Sequence, residues 1–198
     1  MLFRSRLLAA PLGLRDTAFA TRDAARLATP YVSGTPQPHR LQEGEVVAPF
    51  EGTVGIEYSL ARALDARRFA SAGAGLVGTA DDVMSVLEAL RDVQRSGLLP
   101  PALAAEMASP QVGEQGPPEP AGWGFGLGFA LLREAAASGT PQREGTWRWG
   151  GAYGHSWFVD PARGLSVVAL TNTLYEGMDG AFVDDLRDAV YADLEAAR

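Results

Sequence analysis

Two periodicities divide the chain. Val83, Val86, Leu87, Leu90 and Val93 recur at the three- and four-residue spacing of one helix face. Thr79-Ala80-Asp81-Asp82 ahead of them resembles a capping box with aspartate in place of glutamate, and Gly97 closes the run. A helix is therefore expected between them. A second such face, Phe182, Val183, Leu186, Val190 and Leu194, predicts a C-terminal helix whose outer side carries Asp184, Asp185, Arg187, Asp188 and Glu195. Elsewhere the period is two. Over residues 122–129 glycine alternates with Trp123, Phe125, Leu127 and Phe129, which reads as one strand with a close neighbour or a bend on its glycine face. A sugar or base platform would use the same aromatics, but an apolar face under a helix explains them more simply. Residues 147–151, 156–160 and 165–171 read as three further strands. The last two flank Pro161-Ala162-Arg163-Gly164, a turn with proline early and glycine last.

The remaining segments are less regular. Residues 2–10, with Leu2, Phe3, Leu7 and Leu8, read as the last turns of a helix stopped by Pro11 and Gly13. A domain seldom starts inside an uncapped helix, so further chain is expected upstream. Residues 21–28 read as a helical turn with Ala24, Ala25, Leu27 and Ala28 inward. Residues 29–56 are rich in proline, glycine and polar residues and read as a long irregular excursion with a short strand at 45–47. Pro100-Pro101 opens a short helix over 102–108. Residues 112–121 form a second irregular segment and 133–145 a polar turn. No internal repeat or domain boundary is evident. The architecture expected from these patterns is α+β, an antiparallel sheet covered by helices within one domain.

Composition removes several chemistries. All 17 basic residues are arginine, so no lysine base, Schiff base or phosphate-loop lysine is available within these 198 residues. No cysteine is present, which excludes disulfides and thiolate catalysis. A formal charge of −7 offers no basic stripe for nucleic acid. Arg4, Arg6 and Ala18-Phe19-Ala20 imitate a secretion signal, but Pro11, Gly13 and Arg15-Asp16 interrupt the ~7–15 apolar residues such a signal needs. No run approaches the ~20 apolar residues of a membrane span, which leaves the cytoplasm as the default location.

Candidate chemistry concentrates in residues 146–172, which hold three of the four tryptophans, one of the two histidines and the only asparagine. His155 and Ser156 are adjacent on a strand and point to opposite faces, so with Asp160 they make a poor triad. His39, alone in a loop, reads as an ordinary surface histidine. Two distant histidines make no zinc site, and no metal or cofactor is expected. The small-residue run 71–78 resembles a phosphate cradle but lacks the GxGxxG pattern and a following lysine. Gly150-Gly151 differs: two residues without side chains between aromatic strands let a ligand approach the backbone of Gly151 and Ala152. Free N–H groups on a strand edge there can stabilise an oxyanion, while a β-bulge without a ligand is the plain alternative.

PLGLRDTAF, AGAGLVGTADDVMSVLEAL, GWGFGLGF and WGGAYGHSWFVDPARGLSVVALTN, in that order, resemble the C-terminal part of the serine β-lactamase-related hydrolases. That family includes class C β-lactamases, D-alanyl-D-alanine peptidases and esterases. The resemblance implies a β-lactamase/transpeptidase-like fold that is incomplete because its N-terminal part is missing, with residues 1–198 as the C-terminal portion of a single domain. It also implies acyl transfer through a serine acyl-enzyme from a small ester, peptide or lactam. Trp149-Gly150-Gly151 matches the family's third motif, Lys-Thr-Gly or His-x-Gly, in a form similar to some esterases. By the resemblance, the Ala152 N–H belongs to the oxyanion hole, and Trp149, Gly150, Gly151 and Tyr153 to the substrate-binding wall. Tryptophan in place of a charged residue favours esters over carboxylate-bearing lactams. Ser-x-x-Lys and Tyr-x-Asn do not occur in the chain, so both are expected upstream of Met1 and the chain alone is expected to be inactive. The alternative is a non-catalytic module that binds a ligand or partner through its exposed sheet, with self-association through apolar surface.

Overall fold

A computed structural model describes residues 4–71, 73–113 and 120–197. Its centre is a five-stranded antiparallel sheet in simple sequential order. Strands β5 (Trp123–Phe125), β6 (Ala130–Leu132), β7 (Trp147–Gly151), β8 (His155–Asp160) and β9 (Leu165–Leu170) each pair with the next. Two small hairpins precede it, β1 (Tyr31–Val32) with β2 (His39–Arg40), and β3 (Val46–Val47) with β4 (Ile56–Glu57). The helices are α1 (Ala10–Leu12), α2 (Ala80–Arg91), α3 (Val93–Ser96), α4 (Pro101–Met107), α5 (Ala135–Ser138), α6 (Glu176–Asp179) and α7 (Ala181–Ala196).

The expected capping device forms in part and gains a second use. Thr79 Oγ1 accepts the Asp82 N–H at 3.3 Å and starts α2. The Asp82 carboxylate leaves its own helix and accepts the N–H groups of Arg15 and Asp16 and the Thr17 hydroxyl. Asp82 is buried, so these bonds replace its lost hydration and tie the N-terminal segment to α2.

Strand alternation sorts the sheet into two faces. On one face Leu131, Trp147 and Val159 pack with Phe129 and with Leu87 of α2, flanked by Trp157, Val168, Val83 and Leu90. Trp147 and Phe129 stack at 4.7 Å. On the other face Phe158 stacks on Tyr191 of α7 at 6.1 Å. The Tyr191 hydroxyl donates to the fully buried Asp160 carboxylate at 2.6 Å, and the Arg143 and Arg163 N–H groups also reach that carboxylate. Burial, then the bond to Asp160, pushes the Tyr191 hydroxyl well above its usual range, so it remains a donor across neutral pH. A hydrogen bond to a buried charge contributes on the order of 2 kcal/mol, which fixes α7 against the sheet.

The structure corrects several expectations. Residues 122–129 are not one strand: Gly126 and Gly128 turn the chain, so Trp123–Phe125 pairs back onto Ala130–Leu132. The Leu127 N–H donates to the Met107 carbonyl, and that oxygen fills the space a Gly126 side chain would need, so the turn docks on the end of α4. The polar turn at 133–145 contains α5. The helical turn expected at 21–28 shortens to a 3₁₀ turn at Ala24–Arg26 whose alanines face outward, leaving Leu27 partly buried. The irregular excursion at 29–56 contains both small hairpins. The N-terminal turns are helical as expected, with Arg4–Ala9 wound as π-helix into α1, but Pro11 does not stop them: it sits in the first turn of α1, where its missing N–H costs little, and Gly13 ends the helix with positive φ. Leu2, Phe3 and residues 114–119 of the second irregular segment lie outside the described residues. No described helix is long and apolar enough to cross a membrane.

Candidate active site

Strand β7 runs out past its neighbour. It pairs with β6 only at Trp147 and Arg148, whereas β8 accompanies it to Gly151. Backbone groups of an antiparallel strand alternate between its two sides. The Thr146 carbonyl accepts from Leu132 on the β6 side, and the Gly151 carbonyl accepts from Gly154 within the hairpin to β8. Even-numbered residues therefore direct their amides toward β6, and Gly150 lies beyond the last residue β6 can meet. Ala152, the next in that series, opens the hairpin. Its carbonyl accepts the Tyr175 N–H at 2.9 Å, and its own N–H finds no acceptor among the described residues. An unpaired, fixed backbone donor is the group that acyl transfer uses to stabilise an oxyanion.

The five residues singled out from the sequence lie together here. Trp149 is 42% exposed, its ring edge-on to Phe125 of β5 at 5.0 Å. Tyr153 is partly buried, edge-on to Tyr58 at 5.2 Å. The lack of a side chain at each glycine has a packing reason that the sequence reading did not give. A side chain on Gly150 would meet the Gly177 carbonyl at 2.6 Å and Met178 Cα at 2.8 Å, so α6 occupies that face. One on Gly151 would meet His155 Nδ1 at 3.0 Å. What stays open is the in-plane edge, bearing Gly150 and Ala152.

Titratable groups around the loop are set against acid–base work. Burial pushes the Tyr153 hydroxyl above its usual range despite the nearby Arg62. Desolvation by the surrounding hairpin lowers His155 although the residue is exposed, which favours the neutral imidazole. Ser156 is buried and pairs with Gly150, on the opposite face from His155, so the two form no nucleophile–base pair. His39 bonds Glu45 at 2.8 Å on the surface. No cluster of three His, Cys, Asp or Glu suited to a metal occurs among the described residues.

The excursion at 29–58 supports the loop. Val32, Leu41, Tyr58 and Leu174 form a second core, against which Val47, Ala152, Tyr153 and Tyr175 pack. Tyr58 donates to the Tyr175 hydroxyl at 2.7 Å, which donates to the Val47 carbonyl at 3.2 Å. Sequence reasoning missed Tyr58, Tyr175 and Gly177. The sequence reading also placed no helix at Glu176–Asp179, so nothing local marked Gly177. A groove of 280 Å³ adjoins Tyr175, lined by Val32, Val47, Phe50 and Leu174 but by none of residues 149–153. A larger groove between α5 and α7 is also remote from the loop.

Gly177 rests directly on the Gly154 carbonyl, and Gly154 itself has φ 99° with the Thr171 hydroxyl bonded to its oxygen at 2.7 Å. Glycine to alanine inside a helix ordinarily gains about 1 kcal/mol. Gly177→Ala is expected to lose about 1–3 kcal/mol instead, because the new methyl meets backbone that cannot move aside. Urea denaturation of the two chains checks the sign.

Comparisons with known proteins bear on the family and the fold. Residues 3–192 match the family model described as Beta-lactamase. Esterase EstB of Burkholderia gladioli is 47% identical over 187 residues, covering 94% of this chain and 47% of the esterase. The solved structure of EstCE1, a hydrolase with promiscuous acyltransferase activity, is 48% identical with a TM-score of 0.86, over 94% of this chain and 49% of that one. Simvastatin synthase (LovD6 mutant) of Aspergillus terreus shares the fold at 19% identity, with a TM-score of 0.72 over 98% of this chain and 50% of its own. The chain thus spans about half the length of these relatives. With the family model matched over residues 3–192 and a β-lactamase/transpeptidase-like helix-covered sheet, the chain belongs to the beta-lactamase family.

Proposed function

We propose that these 198 residues supply one wall of an esterase-type serine hydrolase site, acting on small esters, with the nucleophile and its base on chain that these residues do not include. The observation that carries this reading is the unpaired Ala152 N–H beyond the end of β6, on a loop pinned by Tyr175. In the reaction it donates to the carbonyl oxygen as negative charge develops there. Trp149 and Tyr153 line the acyl side, and the Gly150-Gly151 edge lets the substrate carbonyl approach the backbone. The half-length matches to EstB and to EstCE1 support the ester preference, as does an uncharged tryptophan where relatives of the lactamase type carry a cation.

Removing a nucleophile and its base leaves only binding and oxyanion terms, which in serine hydrolases retain a small residue of the rate. The purified 198-residue chain is therefore expected to release no chromophore above background from a chromogenic ester or a chromogenic lactam. A stoichiometric burst followed by turnover would show that a serine within these residues is acylated, and would overturn the reading.

A second reading is favoured by the exposure of Val54 (89%) and Phe69 (87%), with Val46, Phe50 and Ile56 also in water. Here the chain binds another chain, or a second copy of itself, through apolar surface. Sedimentation is expected to show concentration-dependent association; a monomer throughout the micromolar range would remove this reading.

A further inference from the structure

Tyr175 has features that filling the second core does not require. It is the one non-glycine residue with positive φ among the described residues, at 68°. Glycine ordinarily occupies that region, because a side chain there is strained. Two demands meet at this residue. Its N–H donates to the Ala152 carbonyl at 2.9 Å, while its ring turns under Tyr58, edge-on at 6.2 Å. A glycine would satisfy the first demand and lose the second. The ring is then locked at its far end, accepting from the Tyr58 hydroxyl and donating to the Val47 carbonyl. Burial, then the bond to Tyr175, pushes the Tyr58 hydroxyl above its usual range, so this lock stays protonated at neutral pH.

We propose that Tyr175 is a positioning residue for the oxyanion site: it holds the Ala152 backbone so that the Ala152 N–H stays directed off the β7 edge, and Tyr58 and Val47 hold Tyr175 in its strained conformation. The inference rests on the reading of Ala152 as an oxyanion donor, but it concerns rigidity that these 198 residues possess by themselves. A fixed donor needs no reorganisation when charge develops, whereas a mobile one must be ordered during the reaction. With the phenol lock removed, the residue relaxes toward an ordinary φ and its N–H turns away from Ala152.

The test is ¹⁵N relaxation on the 198-residue chain, unaltered and as Tyr175→Phe and Tyr58→Phe, with thermal melts alongside. The unaltered chain is expected to give Ala152 an order parameter of about 0.85, the rigid-backbone value, falling below about 0.6 in Tyr175→Phe and to an intermediate value in Tyr58→Phe. Leu131 and Val159 in the sheet are expected to keep theirs. A merely structural role would lower the melting temperature while leaving Ala152 rigid in the folded protein, and that result overturns the proposal. So does an unaltered chain whose Ala152 is already mobile or whose spectrum lacks dispersion. Loosening of Ala152 in Tyr175→Phe, joined to a longer protein without acyl transfer, would keep the positioning role and remove the oxyanion assignment.

Discussion

The contact on which the rest of this structure depends is between two stretches of backbone. Gly177 of α6 lies against Gly154, and the Gly150 face is filled by the Gly177 carbonyl and Met178. No side chain larger than hydrogen fits at these places. Because α6 comes so close, Tyr175 just ahead of it reaches the Ala152 carbonyl, and Leu174 enters the second core. The hairpin between β7 and β8 is therefore held from beneath by main chain and from one side by tyrosines. Its outer edge is left unpaired. A rigid turn with an unpaired donor is otherwise hard to build, since hairpin backbone usually finds a partner or moves.

This arrangement separates support from presentation. The first core, with Trp147 and Phe129 under α2, anchors the inner half of β7. The second core, around Tyr58, anchors the turn beyond it. Trp149 and Tyr153 stand at the join, each braced edge-on by another aromatic, Phe125 of β5 for one and Tyr58 of the second core for the other. The segment 29–58 has little regular structure of its own, and its place in the fold is explained by this bracing. Charge plays a small part at the loop itself. Burial raises the Tyr153 hydroxyl and desolvation lowers His155, and both shifts favour the neutral form.

What could be read from the sequence followed from periodicity. The α7 face and the β7–β8–β9 meander carry strong repeats and formed within a residue or two of their expected bounds, whereas the helix expected to run to Gly97 breaks at Asp92, which ends α2 at Arg91 and caps a separate α3 at Val93–Ser96. The 122–129 stretch misled because alternation of glycine with aromatics satisfies a strand pattern equally well when two of the glycines make a turn. Tyr191 escaped notice because a tyrosine buried against a carboxylate looks, in sequence, like the polar edge of a helix. At the candidate site, Trp149 to Tyr153 were singled out from the glycine pair and from family resemblance. The supports were not. Tyr58 and Tyr175 are 117 residues apart, and no local pattern announces a hydrogen bond between them. The reason for Gly150 also differed, since a glycine spared for a ligand and one spared for a neighbouring helix are identical in sequence.

The central claim is that Ala152 presents a fixed, unpaired N–H on an open strand edge. Native-state hydrogen exchange resolved by residue tests it directly. The structure predicts that the Ala152 and Gly150 amides exchange at nearly unprotected rates, while Trp149, which alternation turns toward β8, is protected with the sheet. Protection of Ala152 comparable to Trp149 would mean that its N–H is already engaged, and would contradict the claim.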